Sequence, residues 1–218
     1  EIINHHKAIG YVESIVKPEF EFRGIDLLNL HSLVLKNIQD DWAGRIRTGT
    51  IRIVGANFTP PNPQLVSELL DELIEYINSN PQNLDPISLA TVFHHQLVWI
   101  HPFFDGNGRT ARLAMNLLLQ KYGFPPAIIL KNDRKKYFNA LNAANNGDYK
   151  ALNLLVIQAV ERSLNIYINI IPGEYFNYQP ISSLVTEPEI EYGMEYVSLL
   201  ARTGKINAHK EGRNWVTT

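Results

Sequence analysis

Apolar residues recur along most of this chain at helical spacing, and proline and glycine break the pattern into segments. Residues 1–16 carry a short amphipathic stretch with Ala8, Val12 and Ile15 on one face. Asp26 can cap a second helix whose apolar positions include Leu27, Leu30, Val34 and Ile38. Thr48 to Phe58 differs: it is rich in β-branched residues, alternates near Ile51 and Ile53 and contains Gly49 and Gly55, which predicts a strand or hairpin. Pro60-Pro61-x-Pro63 stiffens its exit, and Pro63 suits a helix start. The next stripe is Val66, Leu69, Leu70, Leu73, Ile74 and Ile77. Pro86 opens another helix, with Leu89, Phe93, Leu97 and Ile100 in register, and Pro102 breaks it just after His101.

Residues 109–122 are apolar on most sides, which predicts a buried central helix stopped by Gly123. A shorter helix is expected over 133–145 and a long one over 150–168. The stretch 173–180 is a linker, and 181–218 form a small module with one helix (Ile190, Met194, Val197, Leu200) and two short strands around Glu211-Gly212. The expectation is a mainly α protein: a helical domain over 1–172, with its core at about 26–168 and one small β-hairpin, followed by the small module.

Composition narrows the function classes. The 218 residues are 45% hydrophobic and 19% charged, enough to fill a core. A net charge of −2 gives no global pull towards nucleic acid or anionic lipid. The absence of cysteine excludes disulfides and thiol catalysis and suits a reducing, cytoplasmic setting. No run approaches the roughly 20 apolar residues that a membrane helix needs.

The chemistry concentrates in His101-Pro-Phe-Phe-Asp-Gly-Asn-Gly-Arg-Thr-Ala-Arg112. A Gly-Asn-Gly turn opening a helix presents free backbone N–H groups, and the helix dipole adds positive character. Arg109 and Arg112 share one face of the first turns. Asp105 can hold a hard cation that shares phosphate oxygens, and His101 can take a proton near neutral pH. Together these residues describe a site for a nucleotide polyphosphate beside a base.

The stretch resembles the signature of the Fic family, His-x-Phe-x-Asp/Glu-Gly-Asn-Gly-Arg-x-x-Arg, at every fixed position. Ala43 to Arg47, Val54-Gly55 and Pro60 to Pro63 resemble the flap segment that precedes the motif in that family. His94 also matches a family position, and Tyr137 with Leu141 to Asp148 resembles the nucleoside-side segment. The resemblance covers roughly residues 1–170 and implies the Fic-fold helical bundle with a β-hairpin flap. It implies protein AMPylation, a nucleotidyl transfer from ATP to a Ser, Thr or Tyr hydroxyl with release of pyrophosphate.

Under that resemblance His101 is the general base and Asp105 holds Mg2+ across the α- and β-phosphates. The N–H groups of Gly106 to Gly108, with the Asn107 side chain, form the anion cradle. Arg109 takes the β- or γ-phosphate and Arg112 the γ-phosphate. Tyr137 and Asn145 touch the base or ribose, or else pack in the core and cap a helix. Phe103 anchors the loop in the core and His94 hydrogen-bonds within the bundle. Ile53, Val54 and Gly55 form the flap edge that aligns an extended protein target, with Val54 clamping the modified residue.

The last module resembles the winged-helix or helix-turn-helix-like tail of bacterial Fic proteins. DNA binding and docking on the core or on a protein partner both stay open, because a locally basic end (Arg202, Lys205, Lys210, Arg213) follows an acidic helix (Glu187, Glu189, Glu191, Glu195). Self-modification and a homodimer are further alternatives. So are a UMP, phosphocholine or phosphate donor, removal of AMP, and a DNA-binding regulator or toxin component that uses the Fic domain as a sensor. The inhibitory pattern Ser/Thr-x-x-x-Glu-Gly/Asn of the family is not found in these residues. Glu1-Ile-Ile-Asn4 resembles the segment just after it, so an inhibitory Glu is expected upstream of Glu1.

Overall fold

The structure is a computed structural model and describes residues 1–53, 58–170, 178–188, 190–206, 208–211 and 214–217. The chain forms two compact units, Glu1–Val160 and Glu161–Thr218. The first is built from α1 (Ile2–Ile15), α2 (Gly24–Leu35), α3 (Val66–Ser79), α4 (Pro86–Ile100), α5 (Asn107–Lys121), α6 (Arg134–Ala144) and the beginning of α7 (Lys150–Ile170). Among the described residues no helix is long and apolar enough to cross a membrane.

Local chemistry accounts for where these helices begin. The Asp85 carboxylate accepts from the N–H groups of Ile87 and Ser88, both at 3.0 Å, and Pro86 occupies the first helical position of α4. Asp26 works differently from the expectation. It lies inside α2, and its carboxylate reaches back to the N–H of Arg23 at 3.0 Å, closing a capping box from the third helical position.

α5 is the central helix that its sequence predicts: nine of its 15 residues are buried. Leu113, Met115, Leu117 and Leu118 pack there with Leu30, Val34, Phe93, Leu97 and Val156 in one continuous core. Truncating Leu117, which is fully buried, to Ala costs about 2–5 kcal/mol. A second cluster joins Tyr137, Ala140, Leu141 and Ala144 of α6 to Leu152 and Leu155. It brings α6 against the start of α7, with Val98 of α4 packed on it.

The hairpin expected over 48–58 is not found in its described part. Residues 48–53 and Phe58 carry no strand, and Val54 to Asn57 lie outside the described residues. The segment is held by one side chain in place of a ladder. Arg47 is 1% exposed and donates to the carbonyls of Gly49 (3.1 Å), Pro61 (2.7 Å) and His101 (2.7 Å).

The second unit contains β1 (Gln179–Pro180), α8 (Ile181–Leu184), α9 (Met194–Thr203), β2 (Ala208–Glu211) and β3 (Asn214–Thr217). The strands form an antiparallel sheet in the order β1-β3-β2. Ile181, Val197 and Ala201 make its small core, with Val185, Ile206 and Trp215 packed around them.

Candidate active site

His101 ends α4 in the left-handed conformation, φ 51° and ψ 61°. A non-glycine residue there is strained and persists only where its surroundings fix it. Arg47 does the fixing: its backbone N–H donates to the Pro102 carbonyl at 2.9 Å and its side chain to the His101 carbonyl. The imidazole is half-buried, and its Nδ1 lies 2.9 Å from the Val98 carbonyl. A carbonyl can only accept, so Nδ1 carries the proton and Nε2 keeps a free lone pair. Burial, and then the charge of Arg47, hold the His101 pKa below its ordinary value, although the Val98 carbonyl and Asp105 oppose them. The ring is therefore neutral near pH 7, the form a general base requires.

The loop after it is pinned by side chains. Phe103 is fully buried and stacks on His31, ring centres 3.6 Å apart. Asn107 brackets the backbone of Phe103: its Oδ1 accepts from the Phe103 N–H (2.9 Å) and its Nδ2 donates to the Phe103 carbonyl (2.8 Å). The Gly44 N–H donates to His31 Nδ1 at 3.0 Å, so Nε2 of His31 donates to the Asp105 carbonyl at 3.0 Å. Burial lowers the pKa of His31 to about 4 and keeps it neutral in that role. Gly106 has φ 75°, and a Cβ there would stand 3.3 Å from the His31 ring. Glycine meets both demands.

α5 starts immediately after Gly106 and has no side-chain cap. The N–H of Thr110 is taken by the Gly106 carbonyl at 2.9 Å, which leaves those of Asn107, Gly108 and Arg109 as the open donors of the first turn. The Gly106 N–H is spent on the Asp105 carboxylate, 2.6 Å away. A cavity of about 280 Å³ lies over this helix end, lined by His101, Phe104, Asp105 to Arg109, and Arg112. A base, a carboxylate, two guanidinium groups and an uncapped helix N-terminus thus meet in one cavity, which suits a polyphosphate next to an acceptor hydroxyl. A larger cavity of about 600 Å³ lies between α3, α4 and the start of α7, but among the described residues Glu72 is the sole charged one lining it. Lacking a cation, it does not suit phosphate.

The predicted residues fall into two groups. His101, Asp105, Gly106, Asn107, Gly108, Arg109 and Arg112 come together at the cavity, but the Asn107 side chain does not join the cradle because the Phe103 backbone uses both ends of its amide. Arg109 is already in ionic contact, with Glu1 at 2.7 Å and Asp105 at 3.6 Å. Tyr137 and Asn145 lie behind. Tyr137 is 7% exposed, with its hydroxyl 2.8 Å from His94 Nε2. Asn145 Oδ1 is 2.9 Å from His95 Nε2, while His95 Nδ1 meets the Tyr149 hydroxyl at 2.8 Å. Ile53 is half-buried and irregular, and Val54 and Gly55 lie outside the described residues.

Sequence reasoning missed His31 as the anchor of the turn and Arg47 as the clamp on His101. Each acts on residues 54 or more positions away, and neither leaves a local pattern.

Comparison with known proteins matches residues 23–119 to the Fic/DOC family. The chain is 35% identical over 198 residues to protein adenylyltransferase fic-1 of Caenorhabditis briggsae, a match that covers 86% of this chain and 39% of that protein. It resembles the solved structure of Fic-1 from C. elegans at a TM-score of 0.70 and 36% identity, over 78% of this chain and 51% of that one. A Fic family protein from Desulfovibrio desulfuricans shares the fold over 99% of this chain and 73% of its own, with a TM-score of 0.64 at 17% identity.

Proposed function

The chain belongs to the Fic/DOC family, and from that premise we propose that it is a protein adenylyltransferase that moves AMP from ATP to a Ser, Thr or Tyr hydroxyl of a protein. The observation that carries this reading is the free Nε2 of a neutral His101 facing the uncapped start of α5 and two arginines in one cavity. The target hydroxyl gives its proton to Nε2 as its oxygen bonds to the α-phosphorus. The bond from that phosphorus to the bridging oxygen of the β-phosphate breaks, and pyrophosphate leaves. The N–H groups of Asn107 to Arg109 and the arginine forks receive the phosphate charge.

Asp105 fits Mg2+ as a single, half-exposed carboxylate at the cavity. Among the described residues no group of three or more acidic or histidine side chains could hold a metal, so the other ligands would be phosphate oxygens and water. The ion would supply charge neutralisation at the phosphates.

The second unit supports a winged-helix-like module through its sheet order and the α8–α9 pair. The exposed residues of α9 include Glu195, Tyr196, Leu199 and Arg202, a mixed face that suits docking on protein as well as a phosphate backbone. The deciding experiment incubates the chain with Mg2+ and α-labelled ATP beside His101→Ala. Label on protein that depends on His101 supports the transfer; nucleotide binding without label in a lysate refutes ATP as the donor.

A further inference from the structure

The chain has three tryptophans. Trp99 and Trp215 pack against buried cores, whereas Trp42 leaves 41% of its surface in solvent. Tryptophan is highly buried on average, and an open one keeps a large apolar face in water. The Trp42 ring lies 5.2 Å from that of Phe104, tilted by 39°. Phe104 lines the cavity that also holds His101. Neither ring belongs to the buried core. Two aromatic side chains therefore run from the cavity wall outwards.

Backbone holds the pair in place. Trp42 sits in a run of turns: its N–H donates to the Gln39 carbonyl and its carbonyl accepts from Arg45, both at 3.1 Å. The Asp40 carboxylate accepts from the Asn37 N–H at 2.7 Å. Gly44 has φ 71°, and a Cβ there would stand 3.2 Å from the Leu28 carbonyl oxygen. The Gly44 N–H donates to Nδ1 of His31, whose Nε2 holds the Asp105 carbonyl. One imidazole thus ties the turn that carries Trp42 to the residue after Phe104. Gly49 also approaches Phe104, so closely that a Cβ would stand 3.4 Å from the ring. Arg47 holds the Gly49 carbonyl in turn. A partner that covers a surface fixed in this way loses little conformational freedom.

We propose that Trp42 and Phe104 form a specificity surface for the acceptor protein, which lays an apolar side chain on them one or two residues from the hydroxyl that His101 deprotonates. The proposal rests on reading the chain as an adenylyltransferase that acts on protein. The surface adjoins the free Nε2 of His101, where an acceptor hydroxyl has to arrive. The shared cavity is about 280 Å³, so its wall at Phe104 lies within about two extended residues of the acceptor, at about 3.5 Å each. Phosphate has no reason to cover the pair: the open N–H donors and both arginines belong to α5, and aromatic rings carry no charge to match. An exposed, rigidly held tryptophan is instead a typical anchor for protein.

The test measures AMP transfer from α-labelled ATP, with Mg2+, to synthetic peptides. Each peptide has a single threonine, serine or tyrosine in a background of glycine, alanine and lysine. Leucine, glycine or glutamate stands at the two positions on either side. Leucine should raise kcat/KM by about tenfold over glycine, the scale of burying one such side chain. Trp42→Ser should abolish that preference and Trp42→Phe should keep most of it. Both variants should bind the inert α,β-methylene analogue of ATP within about twofold of the parent, as surface changes away from a ligand do. The absence of a leucine preference overturns the proposal, and so does a preference that survives Trp42→Ser. Lost affinity for the analogue also overturns it, because Trp42 would then stack on the nucleotide base.

Where no peptide is labelled, lysate protein replaces the peptides. Trp42→Ser should then cut the His101-dependent initial rate by about tenfold at unchanged analogue affinity, and an unchanged rate overturns the proposal. Should Trp42→Ser not fold, Trp42→Arg takes its place, since a guanidinium still covers the Phe104 ring without offering an apolar face. If the unsubstituted chain gives no His101-dependent label on any protein, the transfer reading itself fails, a separate result.

Discussion

The turn at the start of α5 and the polar cluster behind α6 contain similar residue types but treat them oppositely. At the turn, polar groups are left open: Nε2 of His101, three backbone N–H groups and the Arg112 fork face a cavity. Behind α6, His94 meets Tyr137, and His95 meets both Asn145 and Tyr149. Groups with partners in hand stabilise the fold or orient a neighbour; groups without them are available to substrate. The residue type alone therefore says little, since both regions contain histidine and asparagine.

The sharpest test of this contrast is His101→Ala. Loss of a general base should reduce AMP transfer by about a hundred- to ten-thousandfold. The imidazole makes one side-chain bond, to a carbonyl three residues back, so the melting temperature should stay near that of the parent. A large fall in melting temperature would move His101 into the class of His94. The pH profile gives a second reading: because the His101 pKa lies below its ordinary value, transfer should hold level from pH 8 to about 6.5 and fall only below that.

Asn107 breaks the contrast if position decides and upholds it if partners decide. It stands in the motif, yet both ends of its amide are spent on Phe103. Asn107→Ala leaves a buried N–H and carbonyl unpaired and should cost about 2–4 kcal/mol in urea unfolding. An unchanged unfolding midpoint with lost nucleotide affinity would return the side chain to the cradle.

Asn107 also marks where sequence stops being enough. The helices were legible because each writes its own stripe and breaker: Pro86 with Asp85, and the run from Leu113 to Leu119. The motif was legible because its residues are contiguous. His31 and Arg47 were not, because the motif residues they hold, Asp105 and His101, lie 74 and 54 residues away. The stretch 48–53 misled for a related reason: β-branched alternation predicts a ladder, but Arg47 occupies the Gly49 carbonyl itself.

Acid should act on the closed cluster through stability. The pKa of His94 is about 4 in the fold and near 6.5 when unfolded. Above that range both states are neutral and the contribution is intact. As pH falls from about 6.5 to 4, the unfolded chain takes a proton that the folded one refuses, and stability drops by up to about 3 kcal/mol. Denaturation midpoints at pH 7 and pH 4.5 measure it, and His94→Gln should make the slope shallower while leaving the share of His31, whose pKa is also about 4. An equal slope in that variant would assign the loss to other groups.

The smallest effect belongs to Glu1, whose carboxylate meets Arg109 at 2.7 Å and is 70% exposed. This contact sits at the open region yet is neither closed nor empty, so it asks whether an exposed ion pair counts as a partner. In water such a pair contributes about 0–1 kcal/mol and is screened by salt. Phosphate offers Arg109 a second charge and a bidentate surface, so Glu1 should give way. Glu1→Gln should therefore leave the melting temperature unchanged and tighten triphosphate binding by no more than about fivefold at 50 mM salt, the most that 1 kcal/mol allows. The gain should disappear at 0.5 M salt. A tenfold gain that survives salt would mean that Glu1 closes the Arg109 fork as firmly as Phe103 closes Asn107, and the open region would then shrink to His101, the α5 donors and Arg112.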